Sequence, residues 1–282
     1  MTNAINLFHT FECGQCFRWN RQPNSSYIGV ANGEVVRAAV TGGELVLEGA
    51  KDKDFWRNYF DMDSDYAGIA SKLGKDKILK KCAEYGYGIR ILRQQPWEAL
   101  VSFIISANNN IPRIKGIIER LCALYGEPLE FKDKCHSGLD PQSPVYYSFP
   151  APEVLSRLAP ADLAPIRAGF RDKYIIDAAK KIAGCEVDLH AIARLPAGAA
   201  RSELMKISGV GKKVADCTLL FGFGRLDVFP QDVWIKRILA EVYNVAPAGI
   251  DEFVARKFGA YGGLAQQYLF YYYREHKMAI NN

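Results

Sequence analysis

Lys213 is the residue of this chain best placed for covalent chemistry, because a neutral lysine amine can attack an electrophilic carbon. Helical periodicity puts Lys213 on one face with Cys217 and Leu220, at positions i, i+4 and i+7. It therefore borders apolar surface, where partial desolvation favours the uncharged amine. Lys212 points about 100° away, toward Asp216. Periodicity alone leaves an ordinary solvated lysine as the alternative.

Asp232 is the acidic residue that could work with this amine. It follows Pro230 and directly precedes an apolar helical stripe formed by Ile235, Ile238, Leu239 and Val242. That position predicts a helix N-cap. A catalytic role is compatible with capping, because a carboxylate held rigidly at a helix start can stabilise a cationic transition state.

The segment Ser208-Gly-Val-Gly211 is short and rich in glycine, which predicts a tight hairpin between two helices. Gly209 and Gly211 would let backbone amides approach an anion, and the next helix points its positive N-terminal end at the same place. Such a hairpin suits a DNA phosphate and carries no base specificity. A simple helix connection is the alternative.

The elements that must hold these residues divide into a short sheet and a long helical region. Between Gln15 and about Gly49, β-prone runs alternate with the turn formers Asn32-Gly33 and Gly42-Gly43, which predicts an antiparallel meander. Helical periods then continue to the C-terminus. We expect an α+β fold: a small N-terminal antiparallel β-sheet domain with flanking helices, 1–93, and a mostly helical region, 94–282, containing the hairpin (about 203–221) and Asp232.

Two apolar stripes predict a pair of core helices that meet at Asn108-Asn109-Asn110. The stripes are Trp97, Leu100, Val101, Ile104 and Ile105, and then Ile111, Ile114, Ile117, Ile118, Leu121 and Leu124. Pro112 is tolerable in the first turn of the second helix. Residues Phe131 to Pro152, rich in Pro, Ser, Gly and Asp, predict a long surface loop.

The composition permits a polyanionic partner without requiring one, since 36 Lys and Arg face 31 Asp and Glu, a net charge of +5. No signal-peptide pattern or long apolar run is present, so we expect a soluble intracellular protein. Scattered cysteines favour free thiols, and without a second close pair beside Cys13 and Cys16 we expect no metal site. Cys217 would be oxidation-sensitive if Lys213 lowered the pKa of its thiol.

Several stretches resemble the helix-hairpin-helix glycosylases, and most closely the 8-oxoguanine DNA glycosylase/AP lyases. The string from Gly209 to Cys217, Gly-Val-Gly-Lys-Lys-Val-Ala-Asp-Cys, is nearly diagnostic of that branch. The resemblance runs from about Glu12 to Phe270 and includes Gly14-Gln-Cys-Phe-Arg-Trp19, Ser106-Ala-Asn-Asn-Asn-Ile-Pro-Arg113, Gly169-Phe-Arg-Asp-Lys-Tyr174 and Gly263-Leu-Ala-Gln-Gln-Tyr-Leu-Phe270.

The resemblance implies catalytic and base-binding roles. Lys213 takes the place of the nucleophile that attacks the sugar C1′ and forms a Schiff base, and Asp232 that of the family's aspartate. The implied base-binding set comprises Cys217 in the pocket wall, Gly14 offering its carbonyl to N7–H of 8-oxoguanine, Gln266 reading the Watson–Crick edge and Phe270 stacking on the base.

The resemblance also implies the DNA contacts. Asn108 would fill the gap left by the flipped base, Phe170 would act as a wedge beside it, and Arg113 and Arg171 would contact the orphaned cytosine. Gly209 and Gly211 would hold the hairpin on a phosphate. Two positions depart from the family pattern: Ser208 replaces a more usual proline, and Trp234 stands where some relatives place a histidine on a DNA phosphate.

The implied activity is removal of 8-oxoguanine, preferably opposite C, from double-stranded DNA, followed by β-elimination of the strand. The chemistry requires no cofactor, although a structural monovalent cation at the hairpin is implied. We expect a monomer without a membrane partner, in the cytoplasm or nucleoid of a bacterium or the nucleus of a eukaryote. The alternatives are a glycosylase for oxidised pyrimidines or for adenine opposite 8-oxoguanine, and a hairpin module that binds DNA without catalysis.

Overall fold

The N-terminal part of the chain folds as an antiparallel meander, as predicted. The computed structural model describes residues 4–131 and 145–276. After helix α1 (Leu7–Glu12), four strands pair in chain order: β1 (Trp19–Arg21), β2 (Tyr27–Ala31), β3 (Glu34–Thr41) and β4 (Glu44–Glu48). The turn residues Asn32 and Gly33 have positive φ values of 53° and 68°, as a tight two-residue hairpin turn requires.

The sheet packs around Trp19, which occupies the centre of an aromatic core. Its ring stacks on Phe11 of α1, with the centroids 4.2 Å apart. Its indole N–H donates to the Tyr59 hydroxyl at 2.9 Å, from the last turn of helix α2 (Lys53–Tyr59). The sheet, α1 and α2 therefore share one hydrophobic core, which also contains Trp56.

Helices α3 (Tyr66–Leu73) and α4 (Lys77–Tyr85) pack away from this sheet core. Their buried residues, such as Ile69, Leu73 and Leu79, belong to the core of the helical region. The predicted boundary between 93 and 94 therefore crosses a continuous hydrophobic core, and as a domain boundary it stays a prediction.

The remaining helices form a helical body. They are α5 (Pro96–Ser106), α6 (Ile111–Tyr125), α7 (Pro152–Leu155), α8 (Asp172–Ala183), α9 (Leu189–Ile192), α10 (Ala197–Leu204), α11 (Lys212–Phe223), α12 (Val233–Tyr243), α13 (Ile250–Lys257) and α14 (Gly262–Glu275). Short 3₁₀ helices span Pro160–Ile166, Gly169–Arg171, Pro247–Gly249 and Gly259–Tyr261. The predicted α+β fold class is confirmed. In the described ranges, no helix is both long and apolar enough to cross a membrane.

Helix α5 lies at the centre of this body and packs extensively against α11. Its residues from Glu98 to Ile105 are all buried, so it has no solvent face, whereas the sequence pattern indicated one apolar stripe. The second predicted helix is α6, and Pro112 lies in its first turn as expected. Leu124 was expected in the buried stripe but is 51% exposed, in the last turn of α6.

The expected surface loop from Phe131 to Pro152 is wrong at its C-terminal end. Tyr146–Tyr147 forms strand β6, which pairs antiparallel with β5 (Pro128–Leu129), and Pro152 begins α7. Phe131 packs on a small cluster with Ile28 and Val30 of the sheet. These non-local contacts give order to a segment whose composition suggested none; residues 132–144 lie outside the described part.

Candidate active site and nucleic-acid interface

The predicted hairpin joins α10 to α11. Gly209 has a φ of +78°, and a Cβ added there would lie 2.4 Å from the Tyr174 ring, so this position requires glycine. Gly211 caps α11 with a φ of −93° and faces open space. The backbone N–H of Ser208 donates to Asp177 at 2.7 Å, a bond that the more usual proline could not make. Serine here thus anchors the hairpin to α8.

Lys213 is the second residue of α11 and lies half-buried against α5. Its Nζ donates to the Ser106 hydroxyl at 3.0 Å and lies 5.4 Å from the centroid of the Phe103 ring. Ser106 in turn donates to the Phe103 carbonyl at 2.8 Å, so its oxygen is oriented to accept from the lysine. One polar contact and an aromatic face thus hold the amine in a fixed place.

Asp232 is the N-cap of α12, as its position predicted. Its Oδ1 accepts the Ile235 backbone N–H at 2.7 Å, which fixes the carboxylate at the helix start. The carboxylate and Lys213 face one cavity of about 60 Å³. Its walls come from five separate parts of the chain: Gly14, Phe103, Lys213, Cys217, Phe221, Pro230, Asp232, Gln266, Gln267 and Phe270.

Cys217 lies in the cavity wall one turn after Lys213, as their shared helical face predicted. Burial raises the pKa of its thiol to about 11, although the nearby Lys213 ammonium lowers it and Asp232 raises it further. The expectation of an oxidation-sensitive thiol is therefore wrong, because desolvation outweighs the attraction of the lysine.

Lys212 lies on the side of α11 that carries Asp216, as the periodicity predicted, but its ion-pair partner is Asp251. It donates to both carboxylate oxygens of Asp251 on α13, at 2.9 and 2.7 Å. Asp216 is fully buried and pairs with Arg201 of α10 at 2.7 Å. Both partners come from other helices, which the pattern of α11 alone could not reveal. Lys212 is thereby held on the face of α11 that Asp216 shares, away from the pocket lysine.

Gly14 lies on the opposite wall of the cavity with a φ of +90°. The neighbouring Gln15 is fully buried, and its amide donates to the carbonyls of Thr10 and Arg90, at 2.7 and 2.8 Å. Its carbonyl oxygen accepts the Leu92 backbone N–H at 2.9 Å. Three bonds from one side chain therefore fix the turn that presents Gly14.

Gln266 and Phe270 lie on one face of α14 and complete the cavity. Gln266 is only 6% exposed, yet its Oε1 has no hydrogen-bond partner among the described residues. A buried acceptor without a donor is costly, so it marks a place where a ligand can supply one. Phe270 is half-buried and offers a ring edge 3.5 Å from the position of a Gly14 Cβ.

Two residues project outward on the predicted DNA side, Asn108 from the connection between α5 and α6 and Phe170 from the 3₁₀ helix that precedes α8. Asn108 is exposed and has a positive φ of 49°, and Phe170 is 56% exposed. Arg171 is only 3% exposed: its guanidinium donates to the carbonyls of Ala107, Ala168 and Asn108, the last two at 2.9 and 3.0 Å.

Arg113 is exposed at the start of α6 and lies close to Arg171. Burial lowers the pKa of Arg171, and the charge of Arg113 adds to that effect. In the free protein Arg171 therefore supports Asn108, while Arg113 is accessible. Contact between Arg171 and a cytosine stays a prediction, and it requires these carbonyl bonds to open.

Val233 and Trp234 are 65% and 45% exposed at the start of α12, directly after Asp232. The indole therefore stands at the surface close to the Asp232 carboxylate, where the resemblance placed a phosphate contact.

Sequence reasoning missed several residues of the site. Ser106 and Gln267 lay inside stretches that resemble the family but were given no role, and Phe103 and Phe221 looked like ordinary core residues. Gln267 donates to the Cys13 carbonyl at 2.8 Å, so it joins α14 to the Gly14 turn. Gln15 also lay inside such a stretch, and its place there was the signal that could have found it.

Two families match consecutive parts of the chain. Residues 1–100 match the family described as "8-oxoguanine DNA glycosylase, N-terminal domain", and residues 101–258 match "HhH-GPD superfamily base excision DNA repair protein". The N-glycosylase/DNA lyase of Saccharomyces cerevisiae is 32% identical over 269 residues, which cover 85% of this chain and 69% of the yeast protein. The probable N-glycosylase/DNA lyase of Methanothermobacter thermautotrophicus is 30% identical over 234 residues, covering 75% and 71%.

Solved structures agree over nearly the whole chain. MBOgg1 in complex with a low-affinity DNA ligand superposes with a TM-score of 0.90 at 46% identity, covering 97% of this chain and 93% of that one. The Clostridium acetobutylicum 8-oxoguanine glycosylase/lyase, bound to double-stranded DNA with cytosine opposite 8-oxoG, gives 0.89 at 40% identity, with the same coverage.

Proposed function

Because the chain belongs to the HhH-GPD superfamily of base excision DNA repair proteins and carries the N-terminal domain of 8-oxoguanine DNA glycosylases, we propose that it excises 8-oxoguanine from duplex DNA and then cleaves the strand. It is a bifunctional N-glycosylase/DNA lyase, as its relatives are named. Its partner is double-stranded DNA. Such an enzyme acts where the cell keeps its DNA, in the nucleoid of a bacterium or the nucleus of a eukaryote.

One observation carries the proposal: a single cavity joins the Lys213 amine, the Asp232 carboxylate and a buried acceptor, Gln266 Oε1, to which none of the described residues donates. The first two groups supply a nucleophile and a stabilising negative charge. The third is the kind of group that a nucleobase edge can satisfy. A protein that used its hairpin only to bind DNA would not need these three groups around one cavity.

The chemistry proceeds in two stages. The neutral amine of Lys213 attacks C1′, the bond from C1′ to N9 breaks, and the base leaves with the electron pair and gains a proton. Asp232 stabilises the positive charge that develops on the sugar. The sugar ring then opens, the ring oxygen takes a proton, and C1′ becomes a protonated Schiff base of Lys213.

Strand cleavage follows from the Schiff base. Its positive charge acidifies the C2′ proton, whose removal supplies electrons that expel the phosphate on C3′. The strand is thereby cut on the 3′ side of the lesion, and hydrolysis of the imine returns the lysine. Ser106, which holds Lys213 Nζ at 3.0 Å, keeps the free amine in position before it attacks C1′.

Discrimination of the lesion from guanine is assigned to Gly14, while Gln266 reads the Watson–Crick edge that the two bases share. 8-Oxoguanine carries a proton on N7 that guanine lacks, and the Gly14 carbonyl is the acceptor proposed for it. A site built for that donor rejects guanine, because a buried acceptor would then lack a partner. Phe270 stacks on the base, and Cys217 packs at the pocket wall as a neutral thiol.

Extrusion of the nucleotide costs a few kcal/mol, which DNA contacts offset. Asn108 enters the vacated space, Phe170 wedges beside it, and the amides at Gly209 and Gly211 hold a phosphate. Arg113 reads the orphaned cytosine, joined by Arg171 once its carbonyl contacts open.

We also propose that a monovalent cation binds the hairpin carbonyls, where it would add positive charge near a phosphate. The support for this proposal is the family resemblance; the Lys206 carbonyl just before the hairpin already accepts from the Lys181 ammonium at 2.6 Å, so the cation would use the carbonyls that follow it. No chemical step depends on it.

Borohydride trapping tests the function. Duplexes with one 8-oxoguanine opposite each of the four bases are incubated with the wild type and with Lys213→Gln, with Lys212→Gln as the matched control. We expect a covalent adduct strongest opposite C, absent from Lys213→Gln and retained by Lys212→Gln.

Two results would contradict the assignment. Adducts formed with oxidised pyrimidines or with adenine opposite 8-oxoguanine, but not with 8-oxoguanine itself, would indicate a different lesion. Tight DNA binding with no adduct on any duplex would indicate a non-catalytic hairpin module.

A further inference from the structure

Helix α14 carries a third residue on the face that lines the base cavity. Gln266, Phe270 and Arg274 are spaced by four, so they lie one above another on the same side of the helix. Arg274 lies one turn beyond Phe270 and its side chain is 25% exposed. Its guanidinium therefore lies behind the wall that Phe270 and Gly14 form.

Arg274 holds the backbone that leads into Gly14. Its Nη2 donates to the Glu12 carbonyl at 2.5 Å. Gln267, also on α14, donates to the next carbonyl, that of Cys13, at 2.8 Å. Two consecutive carbonyls are thus fixed by side chains of α14, while the following carbonyl, that of Gly14, accepts no hydrogen bond from the described residues.

Arg274 also packs against two walls of the base cavity, Phe270 and Gly14. Its guanidinium carbon lies 5.6 Å from the centroid of the Phe270 ring, within the range of a cation–π contact. Its Nη1 is buried without a hydrogen-bond partner in the described structure and lies 3.1 Å from the position of a Gly14 Cβ. The guanidinium therefore fills the space behind Gly14 and Phe270 and limits how far either residue can move away from the cavity.

We propose that Arg274 is a positioning residue for base recognition, which sets the separation and orientation of the Gly14 carbonyl and the Phe270 ring. The inference rests on the proposed function, because it concerns the pocket that would receive 8-oxoguanine. It concerns the first stage of the reaction alone. Cleavage at an abasic site needs Lys213 and the DNA contacts but has no base for Gly14 and Phe270 to hold.

The test compares two activities of the full-length protein. Excision is measured under single-turnover conditions on a duplex with 8-oxoguanine opposite C, and lyase activity on the same duplex with a preformed abasic site. The variants are Arg274→Met and Arg274→Lys, with Arg157→Met, an exposed arginine on the surface after α7, as the matched control.

Arg274→Met should slow excision about tenfold or more, since small misplacements of binding groups carry large kinetic penalties, and leave abasic-site cleavage within about twofold. Arg274→Lys keeps the charge over Phe270 but loses the planar fork, so its excision rate should lie between those of Arg274→Met and the wild type. Arg157→Met should match the wild type in both assays.

The abasic-site assay also reports on folding, so a destabilised variant is recognised directly. Equal loss of both activities in Arg274→Met and Arg274→Lys would show a structural role and overturn the inference. Unchanged excision in Arg274→Met would overturn it as well. A wild-type protein that cleaves abasic DNA but never excises 8-oxoguanine would instead refute the proposed function, and this inference with it.

Discussion

At the scale of single residues, α11 separates two electrostatic environments. On one face Lys213 and the neutral Cys217 border the cavity. On the other face Asp216 is fully buried beside Arg201, with Lys212 and Asp251 nearby. Burial raises the pKa of Asp216 to about 6, although its bond to Arg201 opposes the shift. The carboxyl of Asp216, on the side of α11 away from the cavity, therefore titrates in a mildly acidic range.

Asp216 gives a signed prediction for stability. Its pKa of about 6 in the folded state exceeds the ordinary value of 3.8, so the folded state binds a proton more tightly. Its contribution to stability is full below about pH 4 and is lost as pH rises to about 6. The unfolding free energy of the wild type relative to Asp216→Asn should therefore fall over that window, by on the order of 3 kcal/mol.

Urea denaturation at a series of pH values measures this difference. Asp54→Asn, at an exposed position in α2, serves as the control and should show no comparable slope. A difference between wild type and Asp216→Asn that stays constant from pH 4 to pH 8 would contradict the burial argument.

At the scale of elements, the hairpin and the α5–α6 connection, the two turns proposed to contact DNA, are held in place by the same kind of interaction. The hairpin is held by Asp177. Burial raises the pKa of this carboxyl, but the hydrogen bonds from the Ser208 N–H and from Lys181 outweigh burial and hold the pKa below its usual range. The α5–α6 connection is held by Arg171, whose guanidinium binds three carbonyls. In both cases a charged side chain of the α8 region fixes a turn.

The two hairpin glycines should respond differently to alanine. Gly209→Ala places a methyl group 2.4 Å from the Tyr174 ring at a φ of +78°, so it should destabilise the fold by about 1–3 kcal/mol. Gly211→Ala meets no atom within 4 Å and should cost no more than about 1 kcal/mol as an N-cap, yet weaken DNA binding by crowding the phosphate.

Thermal melting and fluorescence anisotropy with duplex DNA at several salt concentrations separate these effects. The hairpin would not be the phosphate site if Gly211→Ala bound DNA as tightly as the wild type while remaining folded.

Substitutions of Arg171 and Arg113 should also differ in their effects on excision. Arg171→Gln removes the support of Ala107 and Asn108 as well as the proposed cytosine contact, so excision of 8-oxoguanine should fall opposite all four bases and further opposite C. Arg113 is exposed and binds no structural carbonyl in the described structure, so Arg113→Gln should lower excision mainly opposite C. Single-turnover rates across the four duplexes give the comparison. A loss in Arg171→Gln that is confined to C would contradict the supporting role of Arg171 beneath Asn108.

At the scale of the whole molecule, the cavity lies where the sheet region meets the helical body. Gly14 comes from the N-terminal region, and the other walls come from α5, α11, the start of α12 and α14. Arg18 and Glu98 form a buried ion pair across the same junction, and burial raises the pKa of Glu98 although Arg18 opposes this. Neither region alone contains a complete site.

This packing predicts that residues 94–282 do not fold independently. Removing 1–93 would remove α3 and α4, whose Leu79 and Cys82 are fully buried in the core of the helical region. The side chains that pack against these helices would then be exposed to water. The fragment should lack a cooperative thermal transition and abasic-site lyase activity, and near-ultraviolet circular dichroism with a melt would show it. A fragment that melts cooperatively and cleaves abasic DNA would support the boundary between 93 and 94 as a true domain boundary.

The sequence by itself determined the features that depend on neighbouring residues. Periodicity placed Lys213 and Cys217 on one face, the residues after Asp232 marked it as an N-cap, and the Asn32-Gly33 turn marked a meander. Helix faces, caps and two-residue turns follow from dihedral preferences and hydrogen bonds within a few residues, so a linear pattern contains them.

Tertiary structure alone decided which distant groups meet. Lys212 pairs with Asp251, Asp216 pairs with Arg201, and Arg171 is buried beneath Asn108, whose carbonyl it binds. The tertiary structure also brought Glu12 and Gly14, near one end of the chain, against Arg274 near the other. These contacts are set by how helices pack in three dimensions, and many pairings satisfy the same amphipathic pattern, so the pattern cannot choose among them.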